Sequence, residues 1–240
     1  MNPAEPGARI ETYRAAHAAV LARIADACQR VGRDPAAVTL VAVSKTVDAD
    51  LLRDAVAAGL HLLGENRVQE AEAKAPLVPG ARWQLVGPLQ ANKVRRALAV
   101  FEAVQSVDSV ALAERIDRLA GERRPGERYP ILLQVNVDDD PAKAGFQPPA
   151  LAEAIARIAD LHALDVRGLM TIGRLAGEAE AARPTFRRLR QLAEEVRGAG
   201  ARIGPELSMG MTDDFEVAVE EGATIVRVGR ALFGEREPHE

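Results

Sequence analysis

A lysine closes the apolar run TLVAVSK, at Lys45. An ammonium at the end of a β-branched strand must be on the surface, paired or in use. At the rim of an apolar core it is partly desolvated, which lowers its pKa and frees the amine to attack a carbonyl carbon. Two later stretches, LSMGMTDDF (207–215) and VRVGRALFG (226–234), place small residues between a short apolar run and a helical pattern. Backbone N–H groups at helix starts lack intrahelical partners and carry partial positive charge, so such turns bind anions, phosphate above all. Gly210 and Gly229 allow close backbone approach, and the Ser208 and Thr212 hydroxyls can donate. Thr212 also has a plain structural use, as the cap of a helix DDFEVAVEEG whose positive end suits Asp213 and Asp214. A nucleophilic amine beside a phosphate site selects a phosphorylated aldehyde or ketone. That means a sugar phosphate in a Schiff-base aldolase, or pyridoxal phosphate (PLP). Arg227, set among Ile225, Val226 and Val228, needs an anionic or hydrogen-bonding partner once buried. If it donates to a PLP pyridine nitrogen, that nitrogen stays unprotonated and the ring is a weaker electron sink.

The elements that must carry these residues follow a repeating pattern. A first helix is expected over about 10–31, from apolar residues recurring at three- and four-residue steps. Strands are expected at 39–44, 60–65, 82–87, 102–107, 130–137, 166–172, 205–210 and 224–229. Helical stretches follow each: 48–58, 67–74, 91–99, 109–120, 149–161, 178–198, 212–221 and a last turn near Ala231. Eight strand-then-helix units in about 200 residues match a (β/α)8 TIM barrel with an extra N-terminal helix. A doubly wound sheet would carry a G-x-G-x-x-G turn after its first strand, and AVSKTVD is nothing of the kind. One domain over 1–240 is expected, with 1–8 and 235–240 frayed and no room for a second domain. Barrel chemistry sits at the C-terminal ends of the strands. There the sequence delivers Ser44, Lys45, Glu65, Asn66, Gln105, Ser106, Gln134, Asn136, Met170, Thr171, Ser208, Arg227 and Gly229. Any one of these is more often a turn or helix cap than a ligand; their convergence on one rim is the signal.

Composition removes other classes. The net charge is −4, with charges mixed along the chain and 3% aromatic residues, which leaves no basic face or stacking platform for nucleic acid. No apolar run is long enough for a membrane span and the N-terminus lacks a leader pattern, so a cytoplasmic protein is expected. Four scattered histidines (17, 61, 162, 239) have no metal-ligand spacing. The single Cys28 cannot form an internal disulfide and reads as a buried helix thiol.

The stretches VAVSKT, GENRVQE, WQLVGPLQANK, QVNVDDDPAKAGF, GLMTIG and LSMGMTDDFEVAVEEGATIVRVGRALFG run in order from about residue 40 to 234. On them the sequence resembles the PLP homeostasis proteins, relatives of the alanine racemase N-terminal barrel. The resemblance implies PLP held as an internal aldimine on Lys45, with Asn66 near the cofactor, Met170 lining the pocket and Arg227 facing the pyridine nitrogen. It implies phosphate ligands in Ser208 and in backbone groups near Met209, Gly229 and Arg230. It implies a role in PLP supply and amino-acid balance; PLP and PLP-dependent apoenzymes are the expected partners, and the sequence does not name which apoenzymes receive the cofactor. The chain departs from the family at Gln84, where His is frequent, and at Asp138 and Asp139, where small residues are frequent.

Two function classes follow: a PLP carrier, or a PLP-dependent amino-acid racemase. Racemisation wants an acid–base group on each face of the substrate adduct. Lys45 can serve one face. The only tyrosines are Tyr13, in the first helix, and Tyr129, before strand five at the wrong end of the barrel, so the carrier is the favoured reading and a monomer the expected state. Lys93, Arg95 and Arg96 share a helix that reads as a solvated face.

Overall fold

The computed structural model describes residues 6–173 and 178–234. Eight parallel strands close on themselves in sequence order: β1 (Thr39–Val43), β2 (Leu62–Glu65), β3 (Arg82–Leu85), β4 (Ala103–Val107), β5 (Tyr129–Gln134), β6 (Leu164–Met170), β7 (Glu206–Ser208) and β8 (Ile225–Val228). The strand β1 pairs with both β2 and β8, which completes the ring. Each strand is followed by a helix: α2 (Ala49–Ala57), α3 (Val68–Lys74), α4 (Val94–Val100), α5 (Val110–Arg123), α6 (Leu151–Ile158), α7 (Arg183–Gly198), α8 (Phe215–Glu220) and α9 (Arg230–Phe233). The extra helix α1 (Pro6–Arg30) lies across α8, α2 and α9. It buries Tyr13, Val20, Ile24, Ala27 and Cys28 on one face, with the Tyr13 ring edge-on to Phe233.

Alternation along the strands divides the apolar residues between two cores. Val41, Leu62, Val86, Leu132, Met170 and Ile225 form the lumen cluster. Their neighbours, among them Ala42, Leu63, Leu85, Leu133, Leu169, Leu207 and Val226, join the much larger core between barrel and helices. Fully buried side chains such as Phe186, Phe215, Leu52 and Leu164 each stabilise the fold by about 2 kcal/mol through apolar surface withdrawn from water.

The expected (β/α)8 barrel with its N-terminal helix is the observed fold. Element ends differ where local chemistry stops them. The Ser109 hydroxyl accepts from Leu112 N–H, so α5 starts at Val110. The helix expected from Thr212 starts instead at Phe215, because the Asp214 carboxylate takes the Met211 N–H and Met211–Asp214 forms a turn. Of the ends expected to fray, residues 6–8 belong to α1, and 1–5 and 235–240 lie outside the described residues.

Candidate functional site at the barrel mouth

Lys45, Asn66, Met170, Ser208, Arg227 and Gly229 all fall at or just past the C-terminal ends of their strands. Lys45 is half-buried just past β1, where the backbone turns and Thr46 takes φ +67°. It is in step with Val41 and Val43, whose side chains pack in the lumen cluster, so alternation puts it on the lumen side. Met170 ends β6 in the same cluster. Asn66 follows β2 and is half-buried. Its backbone lies so close to Gly87 that a Cβ there would sit 2.4 Å from the Asn66 carbonyl oxygen. Glycine at 87 is what lets the β3 end approach Asn66.

Arg227 is buried in the lumen. It donates to the Ser208 hydroxyl at 2.5 Å and to the Thr171 carbonyl at 2.8 Å, and Asp214 is the charge that favours its ionised form. Burial outweighs that charge and lowers the guanidinium to about 10. The partner Arg227 needs is thus a pair of neutral oxygens rather than a salt bridge.

Around the β7 and β8 ends, Ser208 is buried and its hydroxyl donates to Gln105 Oε1 at 2.6 Å. The Met209 side chain lies in the outer core and its N–H donates to the Ile225 carbonyl. Thr212 caps no helix: its hydroxyl accepts the Gly229 N–H at 3.3 Å. Gly229 is the N-cap of α9, and Arg230, exposed, pairs with Asp213. Gly210 has φ +91°, and a Cβ there would meet Ala218 and Phe215 at 2.6 and 2.8 Å. The sharp turn that folds this loop onto α8 therefore requires glycine.

Other strand-end polar residues serve the scaffold. Ser106 donates to the Gly87 carbonyl and Thr171 to the Val135 carbonyl. Gln134 and Asn136 tie down the loop after β5 through the carbonyls of Ala144, Asp140 and Lys143. Ser44 and Glu65 are in step with the outward-facing Ala42 and Leu63, and they meet Lys74 of α3. Lys74 Nζ donates to Glu65 Oε1 at 2.8 Å and to the Ser44 carbonyl at 3.1 Å, while the Ser44 hydroxyl donates to the same carboxylate oxygen. Burial pushes the Glu65 carboxyl up, and Lys74 and Ser44 pull it back. Glu65 Oε2 is buried with no hydrogen-bond partner among the described residues. Lys74 was not evident from sequence, because nothing in the register of α3 singles it out from exposed lysines. It now fixes the carbonyl directly before Lys45.

Asp138 accepts from Thr185 at 2.6 Å, and Lys143 reaches Asp138 and the carbonyls of Ile172 and Gly173. Arg95 and Arg96 pair with Glu122 and Glu72 on the flanking helices, a solvated ion-paired face. Tyr129 begins β5, buried, and donates to the Phe101 carbonyl at 2.8 Å. A cleft of about 340 Å³ beside it, lined by Phe101, Arg123, Arg124 and Tyr129, contains none of the predicted site residues. No helix among the described residues is long and apolar enough to cross a membrane.

The sequence matches the family described as alanine racemase, N-terminal domain, over residues 17–237. It is 44% identical over 228 residues to the pyridoxal phosphate homeostasis protein of Pseudomonas aeruginosa, covering 92% of this chain and 94% of that one. The chain belongs to the pyridoxal phosphate homeostasis protein family. A second member, from Aquifex aeolicus, is 40% identical over 91% of this chain and 96% of its own. Among solved structures, PipY of Synechococcus elongatus with PLP bound superposes with a TM-score of 0.77 at 42% identity, over 88% of this chain and all (100%) of that chain. Family membership and the closed barrel agree on the fold read from the sequence.

Proposed function

We propose that the chain binds PLP at the barrel mouth through a Schiff base on Lys45 and works as a carrier in PLP homeostasis, handing the cofactor to PLP-dependent apoenzymes. The observation that carries this reading is the donor set. Lys45, Arg227, the Thr212 hydroxyl and the Gly229 N–H belong to the C-terminal ends of the adjacent strands β1 and β8 and the loop before α8, a set that suits a ligand that is at once an aldehyde and a phosphate. The bound relative PipY supports it. Condensation of the Lys45 amine with the aldehyde carbon would release one water and leave a C=N bond. The Gly229 N–H, now accepted by the Thr212 hydroxyl, is the backbone donor assigned to phosphate, with Arg230 N–H and the groups around Met209 beside it; the single Ser208 hydroxyl hydrogen is taken by Gln105. Asn66 and Met170 flank the ring and Arg227 faces its nitrogen. PLP itself supplies an electron sink; a donor-only guanidinium at the ring nitrogen weakens it.

The racemase reading needs a second acid–base group opposite Lys45. Among the described residues neither tyrosine is at the mouth: Tyr13 packs on α9 and Tyr129 is tied to Phe101. The purified protein should show a visible Schiff-base band that Lys45→Ala abolishes; an unchanged spectrum removes the assignment. Pyridoxal should bind far more weakly than PLP, and L-alanine should yield no appreciable D-alanine. A turnover in the ordinary enzyme range would reinstate the racemase.

A further inference from the structure

The opposite, N-terminal mouth of the barrel holds a polar cavity of about 180 Å³. Its rim carries one cation and one carboxylate on each side: Arg82 with Glu102 beside β3 and β4, and Arg167 with Glu206 on β6 and β7. In both pairs the closest nitrogen–oxygen distance is 3.9 Å, too long for a hydrogen bond, so all four groups keep capacity for a ligand. Arg167 also donates to Asp165, and Glu102 also accepts from Gln84. Gln84 and Gln105 bring amides to the inner wall, among the apolar Leu62, Leu132 and Ile225. At roughly 30 Å³ per water-sized group, the space suits about six heavy atoms. Burial raises the Glu206 carboxyl against the pull of Arg167, as expected of a group recessed in this mouth.

From this cavity a single file of hydrogen bonds runs up the lumen. Arg227 donates to Ser208 at 2.5 Å, Ser208 to Gln105 at 2.6 Å, Gln105 to Gln84 at 2.6 Å and Gln84 to Glu102 at 3.1 Å. A guanidinium can only donate and a carboxylate can only accept, so the two ends fix the sense of every bond between them. The file begins at the residue assigned to the cofactor and ends on a carboxylate of the far mouth.

We infer that the N-terminal mouth is a second ligand site, for a small zwitterion of the α-amino-acid class, coupled by this file to Arg227. Its carboxylate lies against Arg82 and Arg167 and its ammonium against Glu102 and Glu206. A lone anion or cation of that size would leave two rim groups of its own sign against it. An ammonium on Glu102 competes with Gln84 for the carboxylate, which weakens the polarisation felt at Arg227. The coupling rests on the PLP reading; the site itself does not.

The probe is N,N-dimethylglycine, a zwitterion whose tertiary amine cannot form a Schiff base with PLP and so cannot displace Lys45 from it. Titrated into isotope-labelled protein, it should shift the Gln84 and Gln105 side-chain amide signals saturably. It should do the same in Lys45→Ala, which keeps this test separate from the fate of the cofactor assignment. Affinity should drop at least about tenfold in Arg82→Gln and in Arg167→Gln/Glu206→Gln, and acetate and dimethylamine should each bind at least about tenfold more weakly than the zwitterion, a difference of roughly 1.4 kcal/mol. No saturable shift, binding undiminished in both variants, or acetate binding equally well would overturn the site. In PLP-loaded protein, saturation should move the visible band in wild type and not in Gln105→Met. A band that does not move, or that moves equally in the variant, overturns the coupling.

Discussion

Lys74 holds the ends of β1 and β2 together through the Ser44 carbonyl and the Glu65 carboxylate, and Glu65 is fully buried. Lys74→Met leaves an uncompensated carboxylate and should cost about 3–5 kcal/mol at neutral pH in urea unfolding. The sign of its pH dependence follows from Glu65, whose folded pKa is raised above the unfolded value. Such a group stabilises the fold fully below the unfolded value, about 4.3, and that contribution is lost as pH rises through the folded value. The deficit of Lys74→Met should therefore shrink on acidification towards that range, and a deficit independent of pH would contradict the assignment. A second residue-scale effect belongs to Gly87. A methyl group there must push the Asn66 backbone away, so Gly87→Ala should weaken PLP binding about tenfold, or 1.4 kcal/mol, read by titrating the visible band.

The helices around α8 are held by arginines. Arg23 and Arg30 of α1 pair with Glu216 and Glu220, and Arg183 and Arg187 of α7 pair with Glu220 and Glu221. Hydrogen bonds from Arg23 hold the Glu216 carboxyl below its ordinary range, and those from Arg183 and Arg30 do so for Glu220. For Glu221 burial acts upward, but Arg187 and Arg183 outweigh it. A depressed folded pKa contributes stability above the unfolded value, about 4.3, which is lost as pH falls through the folded value. Acid should thus loosen α1 and α7 from α8 first. Cys28, buried on α1, reports this directly: a disulfide reagent active in acid should label it faster below about pH 4 than at neutral pH, after correction to a free thiol. Equal corrected rates would show that apolar packing alone holds α1.

The ring as a whole is not evenly closed. Strands β5 and β6 pair from Tyr129–Leu164 to Gln134–Met170, whereas β7 has three residues and shares only the Ser208–Ile225 pair with β8. Local opening concentrates where few backbone bonds must break. Amides of Met209 and Thr224, which bridge this seam, should exchange with solvent sooner than those of Leu133 and Leu169. The seam leads into Gly229, whose N–H is assigned to phosphate, so saturation with PLP should slow exchange there most; at about 100 times Kd the available stabilisation is roughly 2.7 kcal/mol. Uniform protection around the ring would argue that the ligand does not span β7 and β8.

The sequence by itself determined the eight strand–helix units, the N-terminal helix and the end of the barrel to which Lys45, Ser208, Arg227 and Gly229 belong, because alternation and turn chemistry are local properties of the chain. It also placed its two tyrosines in the first helix and at the start of β5, where Tyr13 packs on Phe233 and Tyr129 donates to the Phe101 carbonyl. Three things needed the tertiary structure. Ser44 and Glu65 stand at the same strand ends as Lys45 and Asn66, yet they face Lys74 outside the ring. Thr212 meets Gly229 rather than starting a helix. Gln84, Gln105, Ser208 and Arg227, on four different strands, form one file through the lumen. The physical reason is common to all three. A strand's alternation names which residues share a face, but the tilt and stagger of a closed barrel decide which residues of separate strands lie at one level. Those pairings join positions as far apart as Gln105 and Ser208, which no local pattern encodes.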